Sequence, residues 1–161
     1  MAVSPDGRLV FVSGYTTSRG INNDYTTIAY GAATGRRQWL SRYNGPGNRT
    51  DSIEATAVSR AGDRVFVTGF SKGRGTGLDY ATVAYSAAAG RRLWASRYNG
   101  PGNGDDDAFS VAVSPAGDKV FVTGNSKGRG AGNGYATVAY SAATGRQLWA
   151  NRYGSNSGAA R

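Results

Sequence analysis

The chain has 161 residues, neither cysteine nor histidine, one glutamate (Glu54) and a formal net charge of +9. Its length suits one ordinary domain, and the missing residue types exclude disulfides, thiol chemistry, histidine general acid–base catalysis and the commonest metal ligand. The charge invites a polyanion, yet of the 19 basic residues only Lys72, Lys119 and Lys127 are lysine; the basic groups follow the chain's repeats instead of forming a block, so nucleic acid is not the expected partner.

In chain order the first β-type segment is the short Ala2-Val3-Ser4, closed by the turn Ser4-Pro5-Asp6-Gly7, where proline presets φ and glycine ends a type I turn. Leu9-Val10-Phe11-Val12 follows, then a glycine-rich loop carrying Arg19, then a third segment over Tyr25 to Tyr30. A turn ending in Gly35 leads to a fourth segment with Trp39 and Tyr43.

The same order returns twice. The second unit runs from Ile53–Ser59 through Val65-Phe66-Val67-Thr68, the loop Lys72-Gly73-Arg74-Gly75, Tyr80 to Tyr85, the turn at Gly90 and Leu93-Trp94-Ala95-Ser96-Arg97-Tyr98. The third has Phe109 to Ser114, the turn Ser114-Pro115-Ala116-Gly117, Val120 to Thr123, Lys127-Gly128-Arg129-Gly130, Tyr135 to Tyr140, Gly145, Trp149 and Tyr153. Trp39, Trp94 and Trp149 stand at a fixed interval of 55 residues, as do Gly35, Gly90 and Gly145. A long fixed period marks a repeat architecture.

The second segments are β-branched and aromatic, too short for helices, and read as strands covered on both faces. Period-two geometry puts Trp94, Ser96 and Tyr98 on one face of the fourth strand and Arg97 on the other. Four short antiparallel strands per unit, repeated radially, build a β-propeller blade. The expected fold is all-β, one repeat domain of three four-stranded blades over about 1–45, 53–99 and 108–154, with a tail over 155–161. No helix is required, and no apolar run approaches the roughly 18 residues of a membrane span.

The stretch from Ala84 to Trp94, with Ala29 to Trp39 and Ala139 to Trp149, resembles the tryptophan-docking motif of quinoprotein (PQQ-like) propellers. The unit as a whole is similar to bacterial β-propeller repeats, a class often found in exported proteins. The resemblance covers essentially the whole chain and implies that each tryptophan packs across a blade interface onto the neighbouring blade's turn. Two departures stand out: the motif's aspartate is replaced by Gly31, Ser86 and Ser141, and its lysine by Arg36, Arg91 and Arg146.

Propellers close with about four to eight blades, so three blades leave two apolar faces to cover. Either the chain is a piece of a longer propeller, which the short first strand favours, or two chains join head to tail into a six-bladed ring. No secretory signal is visible after Met1, which leaves the compartment open.

Both long connections of each blade are expected on one face, where ligand sites usually lie. Lys72, Arg74, Lys127, Arg129 and Arg19 are the candidate ligand-binding residues there, suited to carboxylate, sulfate or sugar. The competing reading, and the favoured one, is that these basic loops pair with acidic interblade loops carrying Asp51 and Asp105-Asp106-Asp107. That acidic run is expected to be solvated, since it lacks recognisable companions for a calcium ion. Asp24 and Asp79 are expected to cap a turn, and Tyr43, Tyr98 and Tyr153 with Arg42, Arg97 and Arg152 to pack at the blade edge.

No catalytic set, metal site or cofactor is expected. The sequence points to a non-catalytic scaffold or binding module acting on a protein or glycan, with the larger ring as the expected setting. Two alternatives stay open: a fragment of a quinoprotein-like dehydrogenase, and a carbohydrate- or anion-binding lectin-like propeller.

Overall fold

The computed structural model describes residues 1–18, 22–129 and 132–154, and every regular element in them is a strand. The first sheet comprises β1 (Ala2–Val3), β2 (Leu9–Ser18), β3 (Asn22–Gly31) and β4 (Arg37–Tyr43). The second comprises β5 (Asp51–Val58), β6 (Arg64–Lys72), β7 (Leu78–Ser86) and β8 (Arg92–Tyr98). The third comprises β9 (Asp107–Val113), β10 (Lys119–Lys127), β11 (Asn133–Ser141) and β12 (Gln147–Gly154). Each sheet is an antiparallel meander in chain order. These are three four-stranded propeller blades in an unclosed arc.

Side-chain alternation explains how one sheet serves two cores. Val65 and Val67 of β6 point into a core shared with Phe11, Tyr25 and Trp39 of the first sheet, while Phe66 between them joins Val120, Val122 and Tyr140 of the third. The middle sheet is therefore sandwiched. The first strands gather together, with β5 against β1, β2 and β9, which leaves the tryptophan strands β4, β8 and β12 farthest out.

The second and third strands run further than their hydrophobic segments suggest. The glycine-containing stretches after Val12, Val67 and Val122 belong to β2, β6 and β10, so Gly14, Gly69 and Gly124 lie inside strands and Lys72 and Lys127 are strand-terminal residues, not loop residues. Gly69 and Gly124 mark close backbone approach, whereas nothing lies within 4 Å of a Cβ built on Gly14. A Cβ on Gly69 would stand 2.0 Å from the Ser52 carbonyl oxygen, and one on Gly124 2.0 Å from that of Asp107. In both places the ladder shifts register at a bulge.

Candidate functional site

The connections between blades share one local design. Asn44-Gly45-Pro46-Gly47-Asn48 follows β4, and Asn99-Gly100-Pro101-Gly102-Asn103 follows β8. Asn48 and Asn103 take φ of 48° and 51°, a conformation asparagine tolerates better than most residues. Each is tied by its side chain to the first asparagine of its loop, at 2.5 and 2.6 Å. The loops then dock on the next blade: Gly47 N donates to the Lys72 carbonyl and Gly102 N to the Lys127 carbonyl, both at 3.1 Å. A Cβ on Gly47 would stand 2.4 Å from that Lys72 oxygen, so the approach needs glycine.

Beneath each loop lies a buried carboxylate. Asp51 Oδ2 accepts from Gly45 N at 2.7 Å. Burial pushes its carboxyl above the usual range, against the lowering effect of its bonds from Ser71 and Gly45. Asp106 is fully buried and accepts from Gly100 N at 2.6 Å and Lys127 N at 2.8 Å. The acidic run Asp105-Asp106-Asp107 is thus exposed only at Asp105, with Asp107 half-buried. Asp105 Oδ1 accepts from Leu78 N at 2.8 Å, and Asp107 opens β9. Amides distant in sequence draw Asp106 inward, while Asp105 stays exposed.

Lys72, Arg74 and Lys127 meet the interblade loops at backbone carbonyls. Arg74 is exposed and its Nε donates to the Pro46 carbonyl at 2.6 Å. Lys72 and Lys127 are half-buried, with their carbonyls engaged by the docked glycines. Arg129 is exposed. Arg19 and Gly130 lie outside the described residues.

Asp24 and Asp79 also differ from expectation. They sit within β3 and β7, buried, and Asp79 Oδ2 accepts from Arg97 Nη2 at 2.7 Å and from Thr76 at 3.0 Å. Arg97 also donates to Ser71 Oγ and to the Ser71 carbonyl, at 2.6 and 2.8 Å. Its half-buried guanidinium joins three strand ends of one blade. Burial opposes its charge, and the bond to Asp79 leads the effects that raise its pKa overall. Arg152 repeats the clamp on Ser126 without an aspartate, because Gly134 occupies that place.

The tryptophans stitch one blade to the next. Trp39 Nε1 donates to the Ala87 carbonyl at 2.8 Å and Trp94 Nε1 to that of Ala142 at 3.0 Å. Tyr25 and Tyr80 reach the carbonyls of Ala81 and Ala136 at 3.1 and 3.2 Å. Gly90 and Gly145, with φ of 67° and 71°, lie beneath the indoles. Trp149 and Gly35 belong to the same two series, on the outer faces of the arc.

One open cavity of about 510 Å³ lies where the second and third blades meet on the long-loop face; Leu78, Asp105, Asp107, Asn125, Lys127 and Asn133 are among its lining residues. Its size suits a small ligand, and of the five basic candidates it brings in Lys127 alone. Among the described residues no three of His, Cys, Asp and Glu are grouped to hold a metal ion.

A family model described as outer membrane protein assembly factor BamB matches residues 80–160, half of the chain, and the chain belongs to this family of PQQ-like propeller repeats. No curated protein matches the sequence. Among solved structures it is similar to the WD40 repeats of RRP9, with a TM-score of 0.63 and 12% identity over 92% of this chain and 36% of that one. A europium-containing methanol dehydrogenase gives 0.57 and 17% identity over 85% of this chain and 31% of that one. The quinohemoprotein alcohol dehydrogenase of Comamonas testosteroni gives 0.56 and 16% identity over 86% and 27%. The chain spans about a quarter to a third of these structures, and at such identities the likeness is one of fold.

Proposed function

We propose that the chain is a non-catalytic propeller scaffold, a module that presents its loop face or blade edges to a partner protein once its ring is complete. The observation that carries this reading is the use of its repeated polar groups. Asp51, Asp106, Arg97, Arg74 and the indole nitrogens of Trp39 and Trp94 are engaged in holding strand ends, loops or neighbouring blades together. The family's description as an assembly factor is in keeping with that role.

A quinone cofactor with its metal ion does not fit the described residues. The buried carboxylates Asp51 and Asp106 accept from glycine amides of their own interblade loops, and among the described residues neither belongs to a group of three acids that could hold a cation. Titrating the chain with pyrroloquinoline quinone and calcium should give no saturable change in cofactor absorbance. Stoichiometric uptake would reinstate the dehydrogenase-fragment reading.

The cavity beside Lys127 favours a second reading, a carbohydrate- or anion-binding module. A glycan array and sulfate titration separate the two. The scaffold reading expects no binding beyond background. Binding that disappears when Lys72, Arg74, Lys127 and Arg129 are replaced by alanine, in a variant that still folds, would favour the lectin.

A further inference from the structure

The net charge of the chain is gathered on one face. Each blade is a meander of four antiparallel strands, so the turns joining its first and second and its third and fourth strands emerge on the same side. In every blade a backbone bond ties those two turns together: Ala32 N donates to the Arg8 carbonyl, Ala87 N to that of Asp63 and Ala142 N to that of Asp118, at 2.8, 2.9 and 2.9 Å. Trp39 and Trp94 make the same bond to the next blade, so one repeated rotation relates the blades and brings all these turns to a single short-turn face. Residues 4–9, 31–37, 59–64, 86–92, 114–119 and 141–147 form it, and they hold nine basic and three acidic side chains, +6 of the chain's +9. A period that scatters the arginines among the repeats in sequence collects them in space.

The three acids of this face already have partners: Asp6 pairs with Arg8 at 3.8 Å, Asp63 with Arg64 at 3.3 Å, and Asp118 with Lys119. Arg36, Arg37, Arg91, Arg92 and Arg146 are exposed, and among the described residues none of them makes an ion pair. Gly31, Ser86 and Ser141, which open their turns, supply no carboxylate. Arg91, Arg92 and Arg146 stay exposed even though a preceding blade packs on their turns, with Trp39 over Gly90 and Trp94 over Gly145. Their exposure therefore does not depend on what lies beyond the first or the third blade.

We propose that the short-turn face docks on an anionic lipid surface, its arginines binding headgroup phosphates. Guanidinium forks match phosphate oxygens in a bidentate way. The turns of neighbouring blades lie side by side, so a flat partner reaches the arginines of every blade at once. No exposed large apolar side chain lies in these segments. The face thus has nothing to insert among acyl chains and no ring on which a nucleic-acid base could stack, and its attachment is electrostatic. This goes beyond the scaffold reading and does not rest on it, since the long-loop face remains open to a partner protein.

Co-sedimentation of the unaltered chain with vesicles of phosphatidylglycerol and phosphatidylcholine in equal parts gives the test. At about 0.05 M salt the chain should pellet with these vesicles and not with phosphatidylcholine alone, and raising the salt to about 0.5 M should release it. Each arginine near such a surface strengthens binding about fivefold, so Arg91→Gln, Arg92→Gln and Arg146→Gln together should weaken it about a hundredfold. Arg49→Gln, Arg74→Gln and Arg129→Gln remove the same charge from exposed positions on the long-loop side and should change binding little. All six positions are exposed, so an unchanged circular dichroism spectrum will show that both variants fold. Equal losses in the two variants, pelleting with phosphatidylcholine alone, or no pelleting at low salt would each overturn the proposal. Tighter binding to duplex DNA than to the anionic vesicles, lost in the Arg91, Arg92 and Arg146 variant, would overturn it too and assign the face to nucleic acid.

Discussion

The indole of Trp94 covers Gly145 so closely that a Cβ on that glycine would lie 2.6 Å from the ring. The same holds for Trp39 over Gly90, while the space above Gly35 is open. All three glycines have positive φ, so alanine strains each backbone by about 1 kcal/mol. At positions 90 and 145 it also overpacks the junction, for a total of about 3 kcal/mol. Gly90→Ala and Gly145→Ala should therefore lower the urea midpoint of the protomer well beyond Gly35→Ala. Equal losses at all three would show that the indoles do not bear on the turns.

The nitrogen of the same indole carries a separate contribution. Trp94→Phe keeps a ring in the pocket but leaves the Ala142 carbonyl without its donor at 3.0 Å. The loss should be about 1–2 kcal/mol plus a smaller term for the lost ring area. Trp149 Nε1 has no such partner among the described residues, so Trp149→Phe should leave protomer stability nearly unchanged. Thermal unfolding of the two variants at a concentration where the chain is monomeric makes the comparison.

Much of the architecture is legible in the spacing of Trp39, Trp94 and Trp149, because a contact every blade needs must recur once per blade. What recurrence does not reveal is where a recurring polar group points. Lys72 and Arg74 read as a ligand loop, and what the sequence does not show is that the Lys72 carbonyl accepts from Gly47 and the Pro46 carbonyl from Arg74, since no side-chain pattern encodes a carbonyl's partner. Asp106 reads as one of three solvated acids for the same reason. Its donors are the amides of Gly100 and Lys127, six and 21 residues away. Gly69 and Gly124 stand just past the hydrophobic segments, where glycine can signal a turn or a bulge, and only the facing strand decides which.

Arg97 offers a test of the clamp that joins β6, β7 and β8. Its partner Asp79 is 6% exposed in its side chain, so Arg97→Ala strands a buried carboxylate and should cost about 3 kcal/mol. Arg97→Lys keeps the charge but cannot reach Ser71 Oγ, the Ser71 carbonyl and Asp79 together, and should recover only part of the loss. Arg97→Ala combined with Asp79→Gly, the residue blade three carries, should be milder than Arg97→Ala alone. Additive losses across this double-mutant cycle would show that the two side chains do not interact.

Asp107 sets the pH dependence. Burial, followed by the nearby charge of Glu54, pushes its carboxyl up to about 6, and its Oδ1 is buried without a partner. In the unfolded chain the group titrates near 3.9. Between those values the folded protein holds a proton that the unfolded chain has released, so the contribution of Asp107 to stability falls as pH rises from about 4 to about 6 and is then constant. Ser52 fills the same place in the second blade, which makes Asp107→Ser a fitting replacement. The variant should gain about 1–2 kcal/mol over the parent at pH 7.5, the full linkage value being reduced because the group is partly exposed to solvent. At pH 4 most of that gain should vanish. Urea titrations of both proteins at the two pH values check this, and a gain of equal size at both would mean that packing, not the charge of Asp107, limits the junction between β5 and β9.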